Sequence, residues 1–277
     1  MTTSTQLTEY DFGFVCELVK HEAAIVLEHG KEYLVESRLA PLAKTEGFPG
    51  LSEMLSAIRS REQPVLKKKI IEALTTNETS FFRDIEPFEA MKKTLLPELI
   101  AKRSTDKRLT IWSAAASTGQ ESYSICMMLR DNFPQLTSWN IKIIGTDINR
   151  TVLDKARQGI YSQFEINRGL PATSLIKHFE KKDTEWQIKP TICSMVEFSE
   201  LNLIKPFPPS LPQFDFIFLR NVLIYFDKET KRSILEKVRS VLKNDGYLFL
   251  GASETTINVD DAFDRKVIGK TSCYFKK

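Results

Sequence analysis

Between Thr8 and Leu74 the apolar residues recur three and four positions apart, first as Phe12, Val15, Leu18 and Val19, then as Tyr33, Leu34, Leu39 and Leu42. That spacing lines one face of an α-helix, and Gly30, Gly47 and Gly50 punctuate it. The stretch PVLKKKIIEAL, Pro64–Leu74, opens on a proline whose fixed φ suits a first helical turn. It predicts the last helix of a small all-helical domain over residues 1–75.

Beyond residue 105 the pattern changes to short apolar runs: LTIWSAA (109–115), IKIIGTD (141–147), FDFIFLR (214–220) and GYLFLGA (246–252). Helical patterns follow the first three, at 119–132, 149–158 and 228–242. Runs apolar on both faces and separated by helices predict βαβ units, hence an α/β domain over 106–277 built on a doubly wound, mostly parallel sheet. The ending, DRKVIGKTSCYFKK, reads as two strands about a tight Gly-Lys step, a hairpin that closes the sheet. Residues 179–198 read as a small antiparallel β-insert, and residues 76–105 as a linker and connecting helix.

Composition narrows the function classes. With 277 residues, 42% hydrophobic and 27% charged, the chain can bury a full core. A net charge of +3 and a pI near 8.5 are too mild for a nucleic-acid-binding domain. Cys16, Cys126, Cys193 and Cys273 are scattered without a C-x-x-C pair, so neither a metal site nor a disulfide framework is expected. The start, MTTSTQLTEYDFGF, lacks a basic and then apolar leader, and no apolar run is long enough to span a bilayer. The expectation is a cytoplasmic protein that does not insert into membranes.

In an open α/β sheet, ligands bind beyond the carboxyl ends of the strands. The first strand runs into AAASTGQESYS, where small residues and Gly119 let backbone approach a ligand and Glu121 starts the next helix. This loop is poor in glycine beside a G-x-G-x-x-G phosphate cradle, and an acid there would repel a diphosphate. The second strand ends in Asp147, whose carboxylate can accept both hydrogens of a ribose diol. Asp147 can equally cap the helix beginning near Asn149, and Glu121 can merely favour its helix N-terminus. Together they suit a ligand carrying adenosine without a phosphate chain. Asn202 and Leu203, in FSELNLIKPFP, can flank an adenine, or Asn202 can simply make a turn. Arg220 and Asn221 emerge at the end of the fourth run, with Tyr225 a turn further on as a second site residue or a core aromatic.

At 77–84 the sequence NETSFFRD places two phenylalanines and an arginine behind a polar cluster. With SAAASTGQESYS, GTDIN and FLRNVLIYF, in that order along nearly the whole chain, it resembles the CheR-type chemotaxis receptor methyltransferases, protein-glutamate O-methyltransferases dependent on S-adenosylmethionine. The resemblance implies a class I methyltransferase-like domain behind a helical substrate-docking domain. It also implies that Asn77, Thr79, Arg83, Glu121, Asp147, Asn202, Leu203, Arg220 and Asn221 contact S-adenosylmethionine or the product S-adenosylhomocysteine. Arg83 and Tyr225 would then lie nearest the transferring methyl, and NETSFFRD would fold over the cofactor as a lid. A plainer reading has Thr79 or Ser80 cap a helix, with the Phe pair packed between domains.

The implied substrates are glutamates on the cytoplasmic helices of methyl-accepting chemoreceptors. Residues 179–198 lack the Gly-x-Gly loop of relatives that grip a receptor's C-terminal peptide, so no such tether is expected, and Ser122 stands where a proline often follows the loop glutamate. A surplus of Arg59, Arg61, Lys67, Lys68 and Lys69 over Glu62 can meet acidic helices or form a solvated face. Two rivals remain open: the same fold methylating another substrate, and a module that senses S-adenosylmethionine without turnover.

Overall fold

The computed structural model describes residues 7–277; residues 1–6, part of the stretch read above for a leader, lie outside them. The chain forms two units, one running up to Thr76 and taking in Tyr225–Thr230, the other comprising Asn77–Ile224 and Lys231–Lys277.

The first unit packs α1 (Glu9–Ala23), α2 (Glu32–Thr45), α3 (Leu51–Ser60) and α4 (Pro64–Leu74). Thr8 starts α1 by accepting a hydrogen bond from the Asp11 N–H. Phe12, Val15, Val19, Val35, Leu39, Met54, Leu55, Ile70 and Leu74 fill the core. Tyr33, assigned above to the apolar face, is 71% exposed, because α2 turns Val35, Leu39 and Ala43 inward at strict intervals of four. Basic residues between 59 and 69 are occupied within the unit: Arg59 binds the buried Asp11 at 2.7 Å, and Lys69 binds Glu46 at 2.6 Å. The charge surplus of that face is correspondingly smaller than its composition.

The second unit opens with the irregular segment 77–80 and turns at 81–85, then α5 (Glu86–Ala90), a π-helical turn at Met91–Leu95 and α6 (Leu96–Lys102). Next come β1 (Arg108–Ala114), α7 (Gln120–Asn132), β2 (Asn140–Asp147), α8 (Arg150–Gln158), β3 (Ile160–Ser162), α9 (Gln163–Asn167) and α10 (Ala172–His178). The remainder comprises β4 (Phe179–Lys182), β5 (Glu185–Ile188), α11 (Pro190–Cys193), β6 (Val196–Glu200), β7 (Phe214–Leu219), α12 (Lys228–Val241), β8 (Leu242–Leu250), β9 (Phe263–Ile268) and β10 (Thr271–Lys276).

A seven-stranded sheet in the order β6-β2-β1-β7-β8-β10-β9 forms its centre, parallel from β6 through β8 and antiparallel at the final hairpin. All six residues of β7 are buried, as a strand covered on both faces requires. Trp112 stacks on Phe214 with ring centroids 5.3 Å apart, and Phe218 lies between Phe249 at 4.8 Å and Phe88 at 5.9 Å. Each such buried ring contributes about 2 kcal/mol of transfer free energy. Residues 77–102 belong to this core through Phe81, Phe88, Met91, Leu95, Leu96 and Leu99.

The insert read over 179–198 is drawn differently. β4 and β5 form its hairpin and β3 pairs with β5, giving a separate three-stranded sheet, β3-β5-β4. Val196–Glu200 is instead the edge strand of the main sheet, parallel to β2. Its half-exposed alternation hides a strand whose partner lies some fifty residues earlier, Val196 opposite Ile143. Among the described residues, no helix is long and apolar enough to cross a membrane.

Candidate functional site

Chain order reverses between β1 and β7: β2 and β6 extend one way from β1, whereas β7 and β8 return on its other side. A crevice at such a switch point is where doubly wound sheets bind ligands. The residues at these strand ends also carry unusual backbone. Ala115, Ser117 and Gly119 in the loop after β1, Phe82 and Asp84 in the turns before α5, and Asn221 after β7 all have φ between +46° and +93°. Left-handed non-glycine residues cost about 1 kcal/mol or more each, so neighbouring contacts must hold them.

Those contacts form two linked clusters. In the first, Asp147 at the tip of β2 is 8% exposed and accepts from the N–H of Ser117 at 2.9 Å and of Asn149 at 3.0 Å. Ser117 in turn donates its hydroxyl to the Asn77 carbonyl at 2.7 Å, tying the β1 loop to the NETSFFRD segment. Asn149, not Asp147, caps α8, accepting from the Val152 N–H. Asp147 therefore braces two loops.

The second cluster centres on Arg220, its side chain 1% exposed. Nη1 donates to Glu121 Oε2 at 2.9 Å, while Nη2 donates to the Arg83 carbonyl at 2.8 Å and to Asp84 Oδ2 at 2.9 Å. Ser113 at the end of β1 donates to the other Glu121 oxygen at 2.8 Å. Arg220 Nε is buried without a hydrogen-bond partner among the described residues.

The Phe-Phe step is an anchor. Phe81 meets Tyr161 and Phe179 edge-on, Phe82 meets Phe88, and the Phe82 N–H donates to Ser124 on α7 at 2.9 Å. Both rings pack within the second unit. Neither Thr79 nor Ser80 caps a helix, since α5 begins after Ile85 without a side-chain cap.

Comparison with known sequences identifies what carries this geometry. Residues 77–271 match the model of the CheR methyltransferase SAM binding domain, and residues 10–75 that of the CheR methyltransferase all-alpha domain. This chain belongs to the CheR methyltransferase family. Chemotaxis protein methyltransferase 1 of Pseudomonas aeruginosa is 42% identical over 91% of this chain and 93% of its own length. Chemotaxis protein methyltransferase Cher2 of Pseudomonas putida is 40% identical over the same shares. The chemotaxis protein methyltransferase of Borreliella burgdorferi is 36% identical over 90% and 89%.

In this CheR-family chain the structure brings Asn77, Glu121, Asp147 and Arg220 into the two clusters through direct or one-residue links. Asn202, just beyond β6, accepts from the Ile204 N–H at 3.1 Å and so makes a turn, while the buried Leu203 offers its carbonyl to Lys237 on α12. Arg83 reaches the Arg220 cluster through its carbonyl only; its guanidinium folds back on the Glu78 carbonyl at 3.0 Å. Thr79 lies half-buried in the segment 77–80, and Tyr225 closes a 3-10 turn, Leu223–Tyr225, at the start of the segment belonging to the first unit. Sequence reasoning passed over Ser113, Ser117, Asp84 and Glu254. The strand-end rule reaches the serines and Glu254, which sits in GASETT just past β8, but their small or common side chains carry no signal until partners are known.

Proposed function

We propose that this chain transfers the methyl group of S-adenosylmethionine to glutamate side chains on the cytoplasmic helices of chemoreceptors, leaving glutamyl methyl esters and S-adenosylhomocysteine. The observation that carries this reading, beside family membership, is the joining of Asp147 and Asn77 through Ser117. It ties the acid at the tip of β2, which on this reading holds the ribose, to the segment that would cover the ligand.

The residues fit the cofactor. The β1 loop has no phosphate-binding glycine run, Asp147 and Glu121 supply acceptors for a ribose and an amino group, and the unpartnered Arg220 Nε supplies a buried donor. When bound, S-adenosylmethionine supplies a methyl carbon activated by a sulfonium. A glutamate carboxylate is ionised at neutral pH and attacks that carbon in line without a general base. The chain's own task is then alignment and exclusion of water. Asp147, Glu121, Asn202, Leu203, Arg220 and Asn221 hold the nucleoside and amino-acid ends. Asn77 and Thr79 close over them, and Arg83 orients the acceptor carboxylate. None of the three histidines is drawn into this scheme. His178 is buried against Asp131 at the far end of α7, about 18 Å of helix from the strand tips.

Purified protein is incubated with methyl-labelled cofactor and receptor-containing membranes. Label released from receptor by mild alkali marks an ester and supports the proposal, and Arg83→Ala lowers kcat. Base-stable label indicates a different acceptor, and cofactor binding with no label on any receptor indicates a sensing module. For docking, the basic run Lys67-Lys68-Lys69 of α4 would meet acidic helices. Changing all three to Glu slows receptor methylation several-fold and leaves S-adenosylhomocysteine affinity unchanged; unaltered methylation rejects this surface.

A further inference from the structure

Glu254 is a carboxylate 9% exposed, placed beyond the carboxyl end of β8. Its Oε2 accepts from the N–H of Gly251 at 2.6 Å and of Asn221 at 2.8 Å. Its Oε1 accepts from the N–H of Val222 at 2.9 Å and of Ile224 at 3.2 Å. Backbone N–H groups turned to one point form an anion-binding nest, and this nest is filled by the chain's own carboxylate. Three of the four donors belong to the loop that leaves β7 at Arg220. Asn221 in that loop is left-handed, with φ of 57°, a conformation the free backbone disfavours. The cage is also closed from the β8 side. A Cβ at Gly251 would stand 2.7 Å from Glu254 Oε2 and 2.9 Å from the Asn221 nitrogen, so only glycine admits this approach.

Arg220 is held from its other side by Glu121, Asp84 and the Arg83 carbonyl. Its guanidinium is thus fixed by the β1 and NETSFFRD segments, whereas the backbone immediately after it is fixed by Glu254. We propose that Glu254 is a positioning residue for methyl transfer: by filling the nest it holds the strained Arg220-Asn221 step in the shape that receives the cofactor. The proposal rests on the reading above that these two residues contact S-adenosylmethionine.

Glu254→Gln in the full chain tests it, because a glutamine amide turns an N–H toward two of the four backbone donors whichever way it is oriented. Calorimetry with S-adenosylhomocysteine, thermal melting and steady-state methylation are measured together. The expected result is a folded variant with a melting temperature lowered by about 2–8 °C, cofactor affinity weakened about 10-fold or more, KM for the cofactor raised in step, and KM for receptor unchanged. A variant that melts and binds like the wild type overturns the proposal while leaving the functional reading intact. Absence of heat with the wild type overturns that reading, and the proposal with it. If Glu254→Gln does not fold, amide exchange in the wild type decides. The Asn221 and Val222 amides should exchange about 100-fold or more slowly than an open loop without cofactor, and fast exchange there overturns the proposal.

Discussion

Arg220 shows how single residues set the character of the site. A guanidinium 1% exposed, between Glu121 and Asp84, is stable only while each partner is present, because a buried charge stripped of its counter-charge is strongly destabilising. Asp147 grips backbone: its carboxylate accepts N–H groups of Ser117 and Asn149, in the loops after β1 and β2. Asp147→Asn exchanges one acceptor for a donor facing an N–H, so S-adenosylhomocysteine should bind about 10- to 100-fold more weakly by calorimetry, roughly 1.5–3 kcal/mol. Affinity within twofold of the wild type would remove Asp147 from the site. Ser122 carries a different lesson. Its hydroxyl is fully buried on α7 with no hydrogen-bond partner among the described residues. Ser122→Ala should stabilise the fold by about 1 kcal/mol, raising the melting temperature by about 2–4 °C.

At the scale of elements, the NETSFFRD segment behaves as part of the sheet's cover. Phe81 is buried between Tyr161 and Phe179, and Tyr161 donates its hydroxyl to the Thr118 carbonyl at 2.7 Å, so one aromatic cluster holds both the covering segment and the β1 loop. Gly169, with φ of 89°, passes so close that an added Cβ would lie 2.1 Å from the Phe81 carbonyl oxygen. Gly169→Ala meets both a left-handed backbone and a backbone collision, and should destabilise the protein by about 3 kcal/mol with a parallel loss of cofactor affinity. Retained stability and affinity, followed by melting and calorimetry on the same sample, would show that the segment is not held there.

For the whole molecule, ionisable groups set the pH range of the larger unit. Burial raises the carboxyls of Asp131 and Glu165, but hydrogen bonds from Lys177 and His178 to the first, and from Lys155 and Ser162 to the second, outweigh it and hold both below their ordinary values. Since the unfolded chain binds these protons more readily, their stabilisation is complete above about pH 4.5 and is lost as pH falls through the folded values. Burial pushes the Tyr123 and Tyr161 hydroxyls up, so their stabilisation is complete below about pH 10 and lost as pH rises beyond it. Melting temperature should therefore be flat between about pH 5 and 9 and fall on both sides, with Asp131→Asn lowering the plateau and softening the acid limb. An acid limb identical in that variant would assign the loss to other carboxylates.

The sequence by itself determined the strands β1, β2, β7 and β8, the helices after the first three, and the acids at the first two strand ends. Each is a local pattern: a both-sided apolar run, a helical period, a polar residue where the run stops. Only the tertiary structure decided which atoms those residues meet. Glu121 and Arg220 are 99 positions apart, and Glu254 lies 33 from Asn221, so their pairing exists only once β1, β7 and β8 stand side by side. For the same reason β6 reads as part of an insert until β2 is beside it, and the contact between the Arg83 carbonyl and Arg220, 137 positions apart, leaves no mark in the sequence. Periodicity along a chain reports which face of an element is buried; hydrogen bonds between elements depend on register and distance, which folding alone sets.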